Sequence, residues 1–140
     1  MRPFSTVLMI NVATREGGSL RREETMTHVI AKDDLPCSKI AHKFEGYRHG
    51  DVNVSFFLVD SPPGSGAGLH THPYEEVFVV QEGEATFTVG DATIEATGGQ
   101  ILVVPAGVPH KFVNSGTGAL RQLDIHPSGR IRQVDIPADA

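Results

Sequence analysis

Apolar and polar positions alternate with a period of two along most of this chain, the spacing of strands with one buried face rather than of helices. Val52, Val54, Phe56 and Leu58 alternate with Asn53, Ser55 and Phe57, which predicts a strand with its even positions turned to a core. Residues 77–80 are apolar without interruption, as expected for a strand covered on both sides. Ala85, Phe87 and Val89 alternate with Thr86 and Thr88, Gly90-Asp91 marks a hairpin turn, and residues 92–97 return. Residues 101–104 run into Pro105, and residues 110–114 and 119–125 predict two more strands. Residues 61–68 and Gly98-Gly99 supply turns, and no segment shows helical periodicity. Many short strands at regular spacing predict an all-β sandwich or barrel.

The pattern begins at about residue 28. Residues 1–27 are polar and charged after Met9-Ile10, with too little apolar surface to repay ordering, so they are expected to form a flexible extension before one domain at 28–140. Residues 1–25 read either as an artefact of start-site choice or as an arm that docks on a partner subunit. Arg2 precedes a partly apolar stretch, but Ser5, Thr6 and Asn11 dilute it and no cleavage site follows, which argues against a signal peptide.

Composition narrows the function classes. A formal net charge of -5 argues against nucleic-acid binding, because Arg21-Arg22 is cancelled at once by Glu23-Glu24. The longest apolar stretch of the N-terminal segment, residues 7–10, is far too short to span a membrane. The single cysteine, Cys37, forbids an intramolecular disulfide and suits a reducing, cytoplasmic setting. Strands apolar on both faces, with little helix to cover them, predict a homodimer.

Histidines carry the candidate chemistry. His70 and His72 are two apart on an expected strand and share a face, and Glu76 shares it too if the strand stays regular across Pro73-Tyr74. His110 follows the turn from Pro105 to Pro109, which can lift it over that face. Three imidazoles and a carboxylate suit one divalent transition metal: Fe, Mn, Ni, Cu, Co or Zn. His28, His42 and His49 read as surface residues. Leu123 and Ile125 are expected to point inward, which would turn His126 outward. Phe56, Phe78 and Phe112 fall on the inward parity of their strands and are candidates for core or for the apolar wall of a substrate pocket.

Two motifs add to this. Gly64, five residues, His70-Thr71-His72, three residues, Glu76, six residues and Gly83 resemble the first motif of the cupin family. Gly99, five residues, Pro105-Ala106-Gly107, two residues, His110, three residues and Asn114 resemble the second, fifteen residues downstream of the first. The resemblance implies a small single-domain cupin, a jelly-roll barrel (double-stranded β-helix), with metal ligands at His70, His72, Glu76 and His110. Asn114 reads as a turn residue, and Gly64, Gly83 and Gly99 as turn glycines with positive φ.

Function follows as an expectation. The first reading is a metal-dependent enzyme of oxygenase (dioxygenase-like) type, an oxidoreductase acting on a small apolar or aromatic compound, with Glu76 as catalytic base. The alternatives are a metal-dependent isomerase or lyase, and a non-catalytic cupin that binds a small molecule.

Overall fold

A computed structural model describes residues 7–16 and 19–138, with side chains from residue 27 onward. The chain divides into two units, Met1–Leu35 and Pro36–Ala140. In the first, strands β1 (Val7–Glu16) and β2 (Ser19–His28) pair antiparallel, from Val7 opposite His28 to Glu16 opposite Ser19.

The second unit contains β3 (Ala41–Glu45), β4 (Ser55–Ser61), β5 (Gly66–Thr71), β6 (Glu76–Glu82), β7 (Glu84–Val89), β8 (Ala92–Thr97), β9 (Ile101–Val104), β10 (His110–Asn114), β11 (Leu120–His126) and β12 (Val134–Asp135). They form two antiparallel sheets, ordered β12-β5-β10-β7-β8 and β3-β4-β11-β6-β9. These are the all-β sheets expected from the spacing of the strands, in the jelly-roll arrangement that the cupin resemblance implied. Among the described residues, helical structure is limited to short 3-10 turns at Lys32–Asp34 and Gly46–Arg48, and no helix is long and apolar enough to cross a membrane.

The core lies between the two sheets. Phe78 from one sheet meets Phe87 and Phe112 from the other, with ring centroids 4.9 and 6.2 Å away. Val80, Val104 and Leu120 complete the fully buried centre. Edge-on aromatic packing of this kind contributes about 0.5–1.5 kcal/mol per pair beyond simple burial.

Turn geometry follows the glycines. Gly64, Gly83 and Gly99 adopt φ of +84°, +93° and +94°, where an L side chain is strained. Gly83 is doubly constrained, because a Cβ there would lie 2.4 Å from the Ala119 carbonyl oxygen.

Strand parity differs from expectation in two places. In β4 the buried positions are Ser55, Val59 and Ser61, so Phe56 and Leu58 face away from the core. In β11 the buried positions are Leu120, Gln122, Asp124 and His126, so His126 points inward while Leu123 and Ile125 do not. The cause is visible in the pairing. Phe44, Phe56, Ile125, Val77 and Val103 lie side by side across β3, β4, β11, β6 and β9, and Leu58, Leu123, Val79 and Ile101 form a second such row. The outer face of this sheet is the more apolar of its two faces, which inverts the usual rule. Several polar residues of the inner face, Glu76, Asp124 and His126, line one cavity.

Candidate metal centre

Three strands deliver the candidate ligands. His70 comes from β5, His72 from the residue just past it, Glu76 opens β6, and His110 opens β10. The segment between His72 and Glu76 is not a continuous strand, because the chain crosses from one sheet to the other at residues 73–75. Pro73 enforces that break. The face-sharing of His70, His72 and Glu76 therefore arises from two sheets closing on each other rather than from one regular strand.

The four side chains are buried, and one ligand atom from each lies within 4.8 Å of all the others. Each of His70, His72 and His110 turns its Nδ1 to a backbone carbonyl, of Gly68, Arg132 and Val108 respectively. Donation of Nδ1–H to these carbonyls leaves the Nε2 lone pair as the free ligand, which is how second partners orient metal-binding imidazoles. Glu76 Oε1 then stands 2.9 Å from His110 Nε2 and 3.1 Å from His72 Nε2. Lone pairs and a carboxylate at these separations repel unless a proton or a cation lies among them. His72 Nε2 is moreover buried without a hydrogen-bond partner. The donor set fits a divalent ion.

Burial pushes the Glu76 carboxyl up, but the close imidazoles of His110, His126 and His72 outweigh it and hold the group well below the usual carboxylate range. Glu76 is therefore an anion at neutral pH. Burial, with neighbouring His110 and His72, depresses the basicity of His70, against the pull of the Gly68 carbonyl. For His110 burial also opposes charge, yet its bonds to Glu76 and Val108 raise it.

A further layer holds Glu76 from the other side. His126 Nε2 lies 3.1 Å from Glu76 Oε2, a charge contact without good hydrogen-bond alignment. The Tyr74 hydroxyl accepts the backbone N–H of Arg132 and lies 2.8 Å from His126 Nδ1. Thus Oε1 faces His72 and His110, and Oε2 faces His126. Asp124 sits two residues before His126 and receives the Gln122 side-chain amide on Oδ1 at 2.9 Å. Burial and the Glu76 charge push its carboxyl well above the usual range.

A cavity of about 160 Å³ opens beside these groups, lined by apolar Ile40, Val59, Phe57, Phe78 and Phe112 and by polar His70, Glu76, Asp124 and His126. Phe78 and Phe112, read as core or as pocket wall, are buried in the core and line this cavity. Phe56 is not: it lies on the outer face of β4, stacked on Phe44 with centroids 4.6 Å apart, and Phe57 takes its place. Sequence reasoning also missed Tyr74, Asp124 and the inward setting of His126. Tyr74 lies between two candidate ligands and was the one legible signal. Asn114 acts at a turn as expected, donating to the Ser61 and Gly118 carbonyls and accepting from the Gly116 N–H.

Comparison with known proteins agrees with this architecture. Residues 57–126, half of the chain, match the family described as Cupin domain. An uncharacterised protein of Streptomyces coelicolor is 35% identical over 57% of this chain and 77% of its own length. The HTH-type transcriptional regulator PuuR of Escherichia coli is 32% identical over 70% of this chain, which spans 55% of that regulator. In structure, Bacillus subtilis oxalate decarboxylase superposes with a TM-score of 0.65 at 22% identity, covering 73% of this chain and 29% of the decarboxylase. At that identity the likeness concerns the fold.

Proposed function

The chain belongs to the cupin family, and from that premise we propose that it is a metal-dependent oxygenase-type enzyme acting on a small apolar or aromatic compound. The observation that carries this reading is the buried cluster of His70, His72, Glu76 and His110 opening onto an apolar cavity. His70, His72 and His110 would hold one divalent ion through Nε2, and Glu76 through Oε1. Such an ion supplies Lewis acidity and, where it is redox-active, electron exchange with an oxidant.

The chain's own residues do the rest. Phe57, Phe78 and Phe112 exclude water and orient an apolar ring. Glu76, which lines the cavity, takes a proton from the bound compound as general base. His126, steadied by Tyr74, keeps the second carboxylate oxygen in place while this happens. An engineered cavity of about 150 Å³ accommodates benzene, so a volume of about 160 Å³ selects compounds of roughly one ring. Electron exchange favours Fe, Mn, Ni or Cu over Zn.

The experiment is metal reconstitution with an oxygen electrode. Protein loaded with Fe(II), Mn, Ni or Cu should consume oxygen with one-ring phenols or small diketones, and the Zn form should not. His110→Ala should lose most of its metal, whereas Glu76→Gln should keep part of it and lose the rate. Turnover by the Zn form without oxygen uptake would instead mark an isomerase or lyase. A second reading, a non-catalytic small-molecule-binding module, draws support from the match to a transcriptional regulator over 70% of this chain. It predicts ligand-dependent stabilisation with no product under any metal.

The proposal includes a homodimer in a cytoplasmic setting, with neither nucleic acid nor membrane as partner. The apolar outer rows of the β3-β4-β11-β6-β9 sheet support the dimer, since Ile101 and Val103 on its edge are 65% and 59% exposed. A second copy presenting the same rows is self-complementary about a two-fold axis.

A further inference from the structure

The polar groups of the cavity are unevenly signed. Among its described lining residues there are two carboxyls, Glu76 and Asp124, and neither lysine nor arginine. Lys43 lies on the same inward row, beside Phe57, but it is not in the cavity wall and its Nζ is 3.4 Å from Glu45. Ser38 and Gln133 are the only other polar side chains of the lining besides the two histidines.

Asp124 has a particular place in this wall. It pairs with Phe57 on one side and Phe78 on the other, so it interrupts an aromatic row. His126 lies two residues on and touches Glu76, which places Asp124 about 7 Å along the strand from the metal end. It is 5% exposed, and Gln122 satisfies Oδ1 alone. Gln122 Oε1 is itself buried without a hydrogen-bond partner. A buried carboxyl in an apolar wall is costly unless something completes its bonding. The orphaned atom of this pair, Gln122 Oε1, calls for a donor, and Asp124 Oδ1 has Gln122 as its one donor while its carboxyl lines the cavity.

We propose that the cavity takes a one-ring ligand with an oxygen for the metal end and a hydroxyl or amine at its far end, donated to Asp124. Asp124 is then a specificity-determining residue. A far-end carboxylate is rejected, because it would enter a wall that offers no cation and already holds Glu76 as an anion. This inference rests on the metal-centre reading above and adds the polarity of the substrate.

The test is binding to the full-length, cobalt(II)-loaded protein at pH 7, followed by the visible cobalt spectrum and by thermal shift. Four probes share a phenol oxygen and differ only at the second substituent: 3-aminophenol, resorcinol, 3-methylphenol and 3-hydroxybenzoate. The two with a donor should bind about tenfold tighter than 3-methylphenol, and 3-hydroxybenzoate should bind most weakly. In Asp124→Asn, whose amide can donate as well as accept, the preference for donors should shrink and 3-hydroxybenzoate should gain. If that variant does not fold, the ranking on the wild-type protein still decides. Equal affinities, or 3-hydroxybenzoate binding as tightly as 3-aminophenol, would overturn the inference and leave the metal centre standing. Failure to take up cobalt, or no response to any of the four, would remove the metal-centre reading and this inference with it.

Discussion

Imidazole nitrogens gathered 2.9–3.1 Å from one buried carboxylate oxygen require a proton or a cation among them, and that is the residue-level content of this site. His70, His72, Glu76 and His110 were legible because ligand chemistry restricts the residue types and the two motifs restrict their spacing. Asp124 was not legible, because a lone acid in an apolar strand reads as solvent-facing. Its burial has a consequence for stability. Below about 3.8, the ordinary value for this group, the carboxyl is protonated in folded and unfolded chains alike and its ionisation takes no stability from the native state. As pH rises past that value only the unfolded chain ionises, so the native state loses stability until the raised folded value is passed. Metal-free Asp124→Asn should therefore melt above the metal-free wild type at pH 7, by about 1 kcal/mol or more, with the gap closing near pH 3. Calorimetry at both pH values checks this, and a gap independent of pH would show that ionisation is not its source.

At the scale of elements, strand existence followed from alternation and turn residues, and strand facing did not. The hairpin of β7 and β8 turns at Gly90-Asp91 as read, and β10 spans His110–Asn114 as read. For β4 and β11 the more apolar parity faces outward, because the inner positions Ser55, Ser61, Gln122, Asp124 and His126 are held by hydrogen bonds and charge contacts instead. Among the turns, Gly83 and Gly99 share nearly the same positive φ, but only Gly83 has a carbonyl in the way of a Cβ. Gly99→Ala should cost about 1 kcal/mol from backbone strain. Gly83→Ala should cost clearly more, since the Ala119 backbone must also move. Urea midpoints at unchanged slope measure the difference, and equal costs would mean that the Gly83 turn relaxes freely.

For the whole molecule, every candidate ligand and every carbonyl that orients one belongs to Pro36–Ala140. A chain starting at Met26 should therefore keep its metal stoichiometry and nearly its melting temperature. Elemental analysis beside calorimetry checks this, and a large loss of either would mean that the first 25 residues support the site. Light scattering of the full chain should report twice the chain mass of 15.0 kDa. A monomer mass across micromolar concentrations would count against the dimer.

Residue type and spacing, together with the resemblance of two motifs to the cupin family, were enough to identify the fold class, the four candidate ligands and the turn glycines. These are local facts: period two, ligand chemistry, and a backbone angle that only glycine adopts cheaply. Which face of each strand looks inward is not local. It depends on what the opposite sheet offers, and here the histidine cluster draws Asp124 and His126 inward while Phe56, Leu123 and Ile125 turn out. The crossing at residues 73–75 is of the same kind, since Glu76 reaches the imidazoles only because two sheets close over one cavity. Side chains far apart in sequence meet there, and no pattern within one strand encodes that meeting.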